Sequence, residues 1–383
     1  THLITDHVHY WEDGGATYHT RYSSFEFFRG QEGDKWKGVV DAPKDYEQSA
    51  QKCLLGRANA VNRRFMKTEA EHSQARLFEA AGEFIDINKD ADRWFLQIEP
   101  FDPHEPFFTY NKYMEMYGED DTNENASDWP DYGRNHYTKA QSEHMRKCYA
   151  ALLTMCDTYL GKILDKMDAY NMWEDTMLIV NTDHGFLLGE HGWWGKTSMP
   201  VFEEIAHIPL YIYDPRRKTL GDVRRNSLVQ TIDLAPTLLE YFGVEIPEDM
   251  QGKPLGGVMD SDAPIRSYAV FGYHGSQVDV TDGRYVYMHS ARCPEADVYE
   301  YTLMPTHMRA MFAPKELQNI ELAEPFSFTK GCRTMKIKAE NRMGDTTSFG
   351  TILFDMENDP KQEHPVHDED IEARMKQYIH ECM

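Results

Sequence analysis

The chain has 383 residues, 41% hydrophobic and 27% charged, enough to bury a sizeable core and too long for one small domain. Forty Lys and Arg against 64 Asp and Glu leave a formal net charge of −24. That argues against nucleic acid or an anionic membrane as the main partner, and no run of about 18 apolar residues is present to span a bilayer.

The first residues, Thr1-His2-Leu3-Ile4-Thr5-Asp6-His7, carry neither an initiator Met nor the charged-then-apolar pattern of a signal peptide. They read as a register opening inside a folded domain, so the expectation is a chain whose beginning lies upstream. Residues 1–50, rich in Gly, Tyr, Trp and charge without periodicity, are expected to be long surface loops. Six cysteines lie scattered with no CxxC pair, which is neither a disulfide framework nor a zinc site and names no compartment.

Thr68-Glu69-Ala70-Glu71 is a capping box, predicting a helix that runs to about Ala81, before Gly82. Trp94–Glu99 reads as a short strand stopped by Pro100, and the prolines of Phe101-Asp102-Pro103-His104-Glu105-Pro106 make an extended loop after it. Met145, Tyr149, Leu152, Cys156, Tyr159, Ile163 and Met167 recur every three or four residues, the stripe of a long amphipathic helix. Thr176–Val180 and Ile208–Tyr213 are apolar runs suited to buried strands. This alternation predicts an α/β fold: a helix-covered, mixed, largely parallel sheet. Ligands of such sheets bind beyond the strands' carboxyl ends, where His104 and the pair Asp183-His184 both fall. Past Pro254 the texture changes. Val278–Tyr287 alternates about an Asp-Gly turn, a hairpin signal, and Phe349–Phe354 adds a strand. The expected organisation is a core over 1–255 and a smaller α+β subdomain over 256–383, whose hairpin and Tyr273-His274-Gly275 shape substrate choice.

The segment richest in chemistry is Asn181-Thr182-Asp183-His184-Gly185-Phe186-Leu187-Leu188-Gly189-Glu190-His191-Gly192-Trp193-Trp194-Gly195-Lys196. A carboxylate and an imidazole at a strand end can ligate one cation. Lys196 supplies a compact positive charge suited to a tetrahedral anion. Trp194 can wall a pocket or stack on a sugar ring. Asp-His-Gly alone is also what a surface turn looks like, and seventeen histidines make chance clusters common; the specificity lies in the whole run.

That run resembles the "SDHG…GEHG…GK" signature of the sulfatase family in the alkaline-phosphatase-like superfamily, with Thr182 in place of Ser. Phe202–Ile205, Ile208-Pro209-Leu210 and Ile232-Asp233-Leu234-Ala235-Pro236-Thr237-Leu238-Leu239 with Gly252 and Leu255 resemble the strand, helix and loop that follow it. The resemblance implies that Asp183 and His184 ligate a divalent cation, usually Ca²⁺ in that family, and that Lys196 touches the sulfate. It makes His104 a sulfate-contacting histidine and the favoured proton donor to the leaving alcohol. Asp6-His7-Val8-His9 stands where the family has Gly-Lys-Trp-His, so His9 matches a catalytic His while His7 replaces a substrate-binding Lys. The departures matter equally. The family's nucleophile is a formylglycine made from Cys or Ser in Cys-x-Pro-x-Arg, and an upstream Asp-Asp pair adds metal ligands; neither is encoded in this chain. Cys53-Leu54-Leu55-Gly56-Arg57 lacks the Pro, sits downstream of His9 and reads as structural. The expectation is a sulfuric ester hydrolase acting on a sulfated small molecule or glycan, missing its nucleophile-bearing segment and inactive as these residues alone. The alternatives are a phosphatase or phosphonate monoester hydrolase of the same superfamily, a non-catalytic metal-stabilised binding protein, or half of a split enzyme.

Overall fold

A four-residue strand, β1 (His2–Thr5), lies at the centre of a parallel sheet between β2 (Ser24–Phe27) and β3 (Leu96–Glu99). The computed structural model describes residues 1–14, 17–41, 53–119, 127–217, 223–273, 277–290, 299–304, 306–307, 310–339 and 346–382. Two compact units divide the chain: Thr1–Asp131 with Asn135–Asp175 and Thr306–Met311, and Tyr132–Arg134 with Thr176–Pro305 and Phe312–Met383. The boundary expected near 255 falls inside the second unit.

In the first unit, all four β1 side chains are buried. The opening residues are therefore not all surface loop as expected. A strand this short, with His and Thr flanking Leu3-Ile4, offers no alternation long enough to detect. Helix α1 spans Cys53–Arg63 and α2 spans Ser73–Asn88. Glu71 accepts the Thr68 N–H at 2.9 Å as the capping box requires, but it closes only a 3₁₀ turn, Glu69–Glu71. The helix proper starts at Ser73 and runs through Gly82, because buried Leu77, Phe78, Ala81 and Ile85 hold it; their burial outweighs the roughly 1 kcal/mol that a mid-helix glycine costs. The predicted stripe is α3, Lys139–Ala169, with Met145, Leu152, Tyr159, Ile163 and Met167 all buried. Its N-terminus is closed reciprocally by Thr138 and Gln141, and Phe78 of α2 packs against Tyr159 at 5.7 Å.

In the second unit, β4 (Leu178–Asn181) precedes the Asp183–Lys196 segment, which ends in β5 (Trp193–Gly195). Strand β6 (Leu210–Tyr213) pairs with β4 antiparallel, Leu178 opposite Tyr213. The α/β class holds, but parallel pairing among the described residues is confined to β2-β1-β3; the other sheets are antiparallel. Helix α4 (Leu234–Phe242) follows. The last sheet has β7 (Ala269–Gly272), β8 (Val278–Thr281), β9 (Tyr285–His289) and β10 (Ile352–Asp355) in the order β10-β9-β8-β7. Its hairpin turns at Asp282-Gly283 as predicted; His274 and Gly275 lie outside the described residues. One face of this sheet, through Val286, Met288 and Phe354, shares a core with Leu187, Trp193, Met199, Val201, Phe202 and Ile205. The other, through Val280, Tyr287 and Leu353, packs on Met375 and Ile379 of α5 (Glu369–Cys382). The residues past 256 thus form the floor under the Asp183–Lys196 segment.

Candidate active site

The first unit brings three candidate histidines around one ring. Phe101 lies 5.5 Å from His7, 6.2 Å from His9 and 4.1 Å from His104, and His7 meets His9 edge-on at 5.0 Å. His7 and His9 follow β1, while Phe101 and His104 follow β3, the strand beside it. Adjacent parallel strands deliver their trailing loops to the same end of the sheet.

Each ring is oriented by its Nδ1. His7 donates to Glu99 Oε1 at 3.1 Å, His9 to Glu12 Oε2 at 3.0 Å, and His104 to the Glu105 carbonyl at 2.6 Å. An acceptor that carries no proton fixes the tautomer, so each neutral imidazole keeps its lone pair on Nε2. Glu99 is itself held by the Tyr10 hydroxyl at 2.8 Å and the Gln97 amide at 2.8 Å. Sequence reasoning missed Glu99, Glu12 and Tyr10 as positioning groups. The signal available was Gln97 and Glu99 at alternate positions of a strand, one polar face ending where a histidine arrives.

The second unit holds the other candidates. Asp183 and His184 follow β4, with the Asp183 side chain largely exposed and that of His184 39% exposed. Asp183 Oδ1 accepts the His184 N–H at 2.9 Å, and His184 Nδ1 donates to the Gly185 carbonyl at 3.0 Å. The His184 Nε2 lone pair therefore lies 3.5 Å from Asp183 Oδ2. The Nε2 of a neutral His184 and Asp183 Oδ2 are two lone-pair donors that suit a cation, and a metal-binding histidine commonly gives its other N–H to a backbone carbonyl. The donor set fits a divalent ion, as two members of the roughly six to eight ligands that Ca²⁺ takes. Among the described residues no group of three or more His, Cys, Asp or Glu is arranged to hold one. Gly185 permits the loop: its N–H donates to the Ile205 carbonyl at 2.9 Å, and a Cβ there would meet the Glu204 carbonyl oxygen at 1.8 Å.

Lys196 is 9% exposed, with Nζ 6.0 Å from the Tyr132 ring centre and 5.9 Å from that of Phe186. Trp194 takes a different place from the one expected. It is fully buried on β5, between strand partners Gly133 and Leu188, and offers no face to a substrate; it is a packing residue. Cys53 opens α1, and its side chain lies outside the described residues.

The family model described as Sulfatase matches residues 5–244, well over half the chain. The chain belongs to the sulfatase family. A second model, N-sulphoglucosamine sulphohydrolase C-terminal, matches residues 189–323. The chain is 32% identical over 136 residues to an N-acetylglucosamine-6-O-sulfatase of Bacteroides thetaiotaomicron, covering 34% of this chain and 24% of the relative. It is 27% identical over 194 residues to the multifunctional alkaline phosphatase superfamily protein PehA of Trinickia caryophylli, covering 44% and 37%. The matched region thus spans well under half the length of these two relatives. In fold, it resembles a protein solved in complex with its substrate D-glucosamine-2-N,6-O-disulfate, with a TM-score of 0.54 at 14% identity, covering 81% of this chain and 69% of that one.

Proposed function

We propose that this protein hydrolyses a sulfuric ester of a small molecule or glycan, with Asp183 and His184 as cation ligands, Lys196 as an anion-stabilising charge, and His104 and His9 as proton-transfer groups. The observation that carries the reading is the family match over 5–244, which takes in every one of these residues. In this reading Lys196 faces the charge that develops on the sulfate oxygens, and its burial strengthens that interaction. His104 holds Nδ1 against its own loop carbonyl, so a proton carried on Nε2 is the one it can pass to a leaving alkoxide. His7, held by Glu99, takes the place of the family's lysine as a substrate contact. A bound divalent cation would supply Lewis-acid polarisation of the sulfate. The formylglycine nucleophile of the family is not encoded among these 383 residues and enters none of the steps described.

Likeness to PehA favours a second reading, a phosphatase of the same superfamily. One experiment separates them: turnover of para-nitrophenyl sulfate against para-nitrophenyl phosphate by the intact protein, with Ca²⁺ binding followed by calorimetry. The expected result is a preference for the sulfate, and Ca²⁺ binding that is lost in Asp183→Ala. A preference for the phosphate would install the second reading, and tight Ca²⁺ binding that survives Asp183→Ala would remove the metal assignment.

A further inference from the structure

Among the acids buried in the first unit, Asp6 and Asp102 are two that the reading above does not use. Asp6 is 1% exposed and Asp102 is 5% exposed. Among the described residues each acid keeps one oxygen, Oδ2, without a hydrogen-bond partner. Among the described residues no Lys or Arg forms an ion pair or hydrogen bond with either acid. His72, at the start of α2, has Nδ1 3.8 Å from Asp102 Oδ2, but that nitrogen accepts the Gln74 N–H at 3.3 Å. With its lone pair taken by that N–H, it has no proton to give Asp102. Burial pushes His72 down to about 4, with Arg63 adding to the effect. Arg63 of α1 is itself paired with Asp128 at 2.9 Å. The Cys156 thiol of α3 donates to Gln74 Oε1 and is pushed up by burial. Glu69 lies near His72, Tyr110 near Asp102, and Glu105, three residues on, is also buried.

Two buried carboxylates cannot both stay ionised without a counter-charge. Asp6 has a geometric role: its Oδ1 accepts the Phe101 N–H at 2.7 Å, tying the end of β1 to the loop after β3. Phe101 is the ring that His7, His9 and His104 all contact.

We propose that Asp6 and Asp102 are buried positioning residues that, through the Asp6–Phe101 bond, fix the three histidines of the candidate active site. Burial pushes Asp6 up to about 6; burial first, then repulsion from Asp6, pushes Asp102 well above the usual carboxylate range. A raised acid stabilises the fold fully below its unfolded value, near 4, and that contribution is lost as pH rises through its folded value. Neither acid touches substrate in this arrangement; both act through Phe101.

The kinetic arm of the test rests on the sulfatase reading, while two other arms do not. In the intact protein, Asp6→Ala should lower kcat on the order of 10²-fold with little change in KM, the scale of a small misplacement of catalytic groups. Asp6→Asn should recover most of that loss, because the Phe101 N–H needs only an acceptor oxygen. Hydrogen exchange at the Phe101 amide should quicken in Asp6→Ala and not in Asp6→Asn, whatever the substrate. The melting temperature should fall as pH rises from about 4 through about 6 and beyond, and Asp102→Asn should flatten the upper part of that fall. Asp6→Asn as impaired as Asp6→Ala, unchanged Phe101 exchange, or parallel melting curves for wild type and Asp102→Asn would each overturn the proposal. Absence of ester hydrolysis with the exchange and melting results intact would overturn the sulfatase reading alone.

Discussion

At the scale of single residues, Lys196 is the sharpest test of the site. Its ammonium sits at the end of a buried strand, near aromatic rings, where displaced water leaves a charge poorly screened. A group that meets charge formed in the transition state acts on kcat more than on KM. In the active enzyme, Lys196→Ala should therefore lower kcat on the order of 10²–10³-fold. A normal kcat would make Lys196 a packing residue like its neighbour Trp194. Those two residues also mark what was legible in the sequence. His104, Asp183, His184 and Lys196 stand out as candidates because chemistry-bearing residue types follow predicted strands. The environment of each is not visible, since burial and hydrogen-bond partners come from distant segments. Trp194 looks like a sugar platform until the structure buries it. Glu99 looks like a strand-end charge until it receives His7 from 92 residues away.

At the scale of elements, the motif Asp233…Thr237…Gly252…Leu255 has a structural explanation. Asp233, fully buried at the start of α4, accepts the Gln230 N–H at 2.7 Å and the Lys253 N–H at 2.9 Å, and pairs with Arg266 through both oxygens. Thr237 Oγ1 accepts the Leu255 N–H at 3.0 Å, and a Cβ on Gly252 would meet the Ile232 carbonyl at 2.0 Å. The helix start and the loop over 252–255 are one tied unit. Burial works against the Asp233 carboxylate, yet Arg266 and the two amides hold it below the usual carboxylate range. Its contribution is present above the unfolded value near 4 and lost as pH falls through the lower folded one. Asp233→Ala leaves a buried guanidinium unpaired and should cost about 3–5 kcal/mol, read by urea unfolding at neutral pH. A cost under about 1 kcal/mol, the range of surface pairs, would mean the tie is ornamental. Elements of this length were legible: α3 from its stripe, the β8–β9 hairpin from its alternation and turn. Those that were not are β1 and β2, four residues each, and the pairing sense of β4 and β6. Short strands have too few positions for a period. Parallel and antiparallel pairing bury the same apolar run, so composition cannot choose between them.

At the largest scale, these 383 residues together carry a charge of −24, which sets a condition on any anionic substrate. In the proposed reading a sulfate ester would approach against a field of its own sign, which the local charge of Lys196 would oppose only at short range. Screening separates the two, because the Debye length shrinks from about 30 Å at 0.01 M salt to about 8 Å at 0.15 M. The long-range repulsion is then largely removed, while a buried lysine such as Lys196, if it meets the sulfate as proposed, would be screened far less. For the intact enzyme, kcat/KM toward a sulfated substrate should therefore rise roughly two- to tenfold over that range, with kcat nearly constant, since only encounter is affected. A neutral salt that does not bind the site, such as sodium chloride, is the reagent of choice, because sulfate itself would compete. A kcat/KM that falls steadily with added salt would mean that a local positive field governs approach despite the acidic surface. The salt dependence thus distinguishes steering by the whole chain from steering by the site.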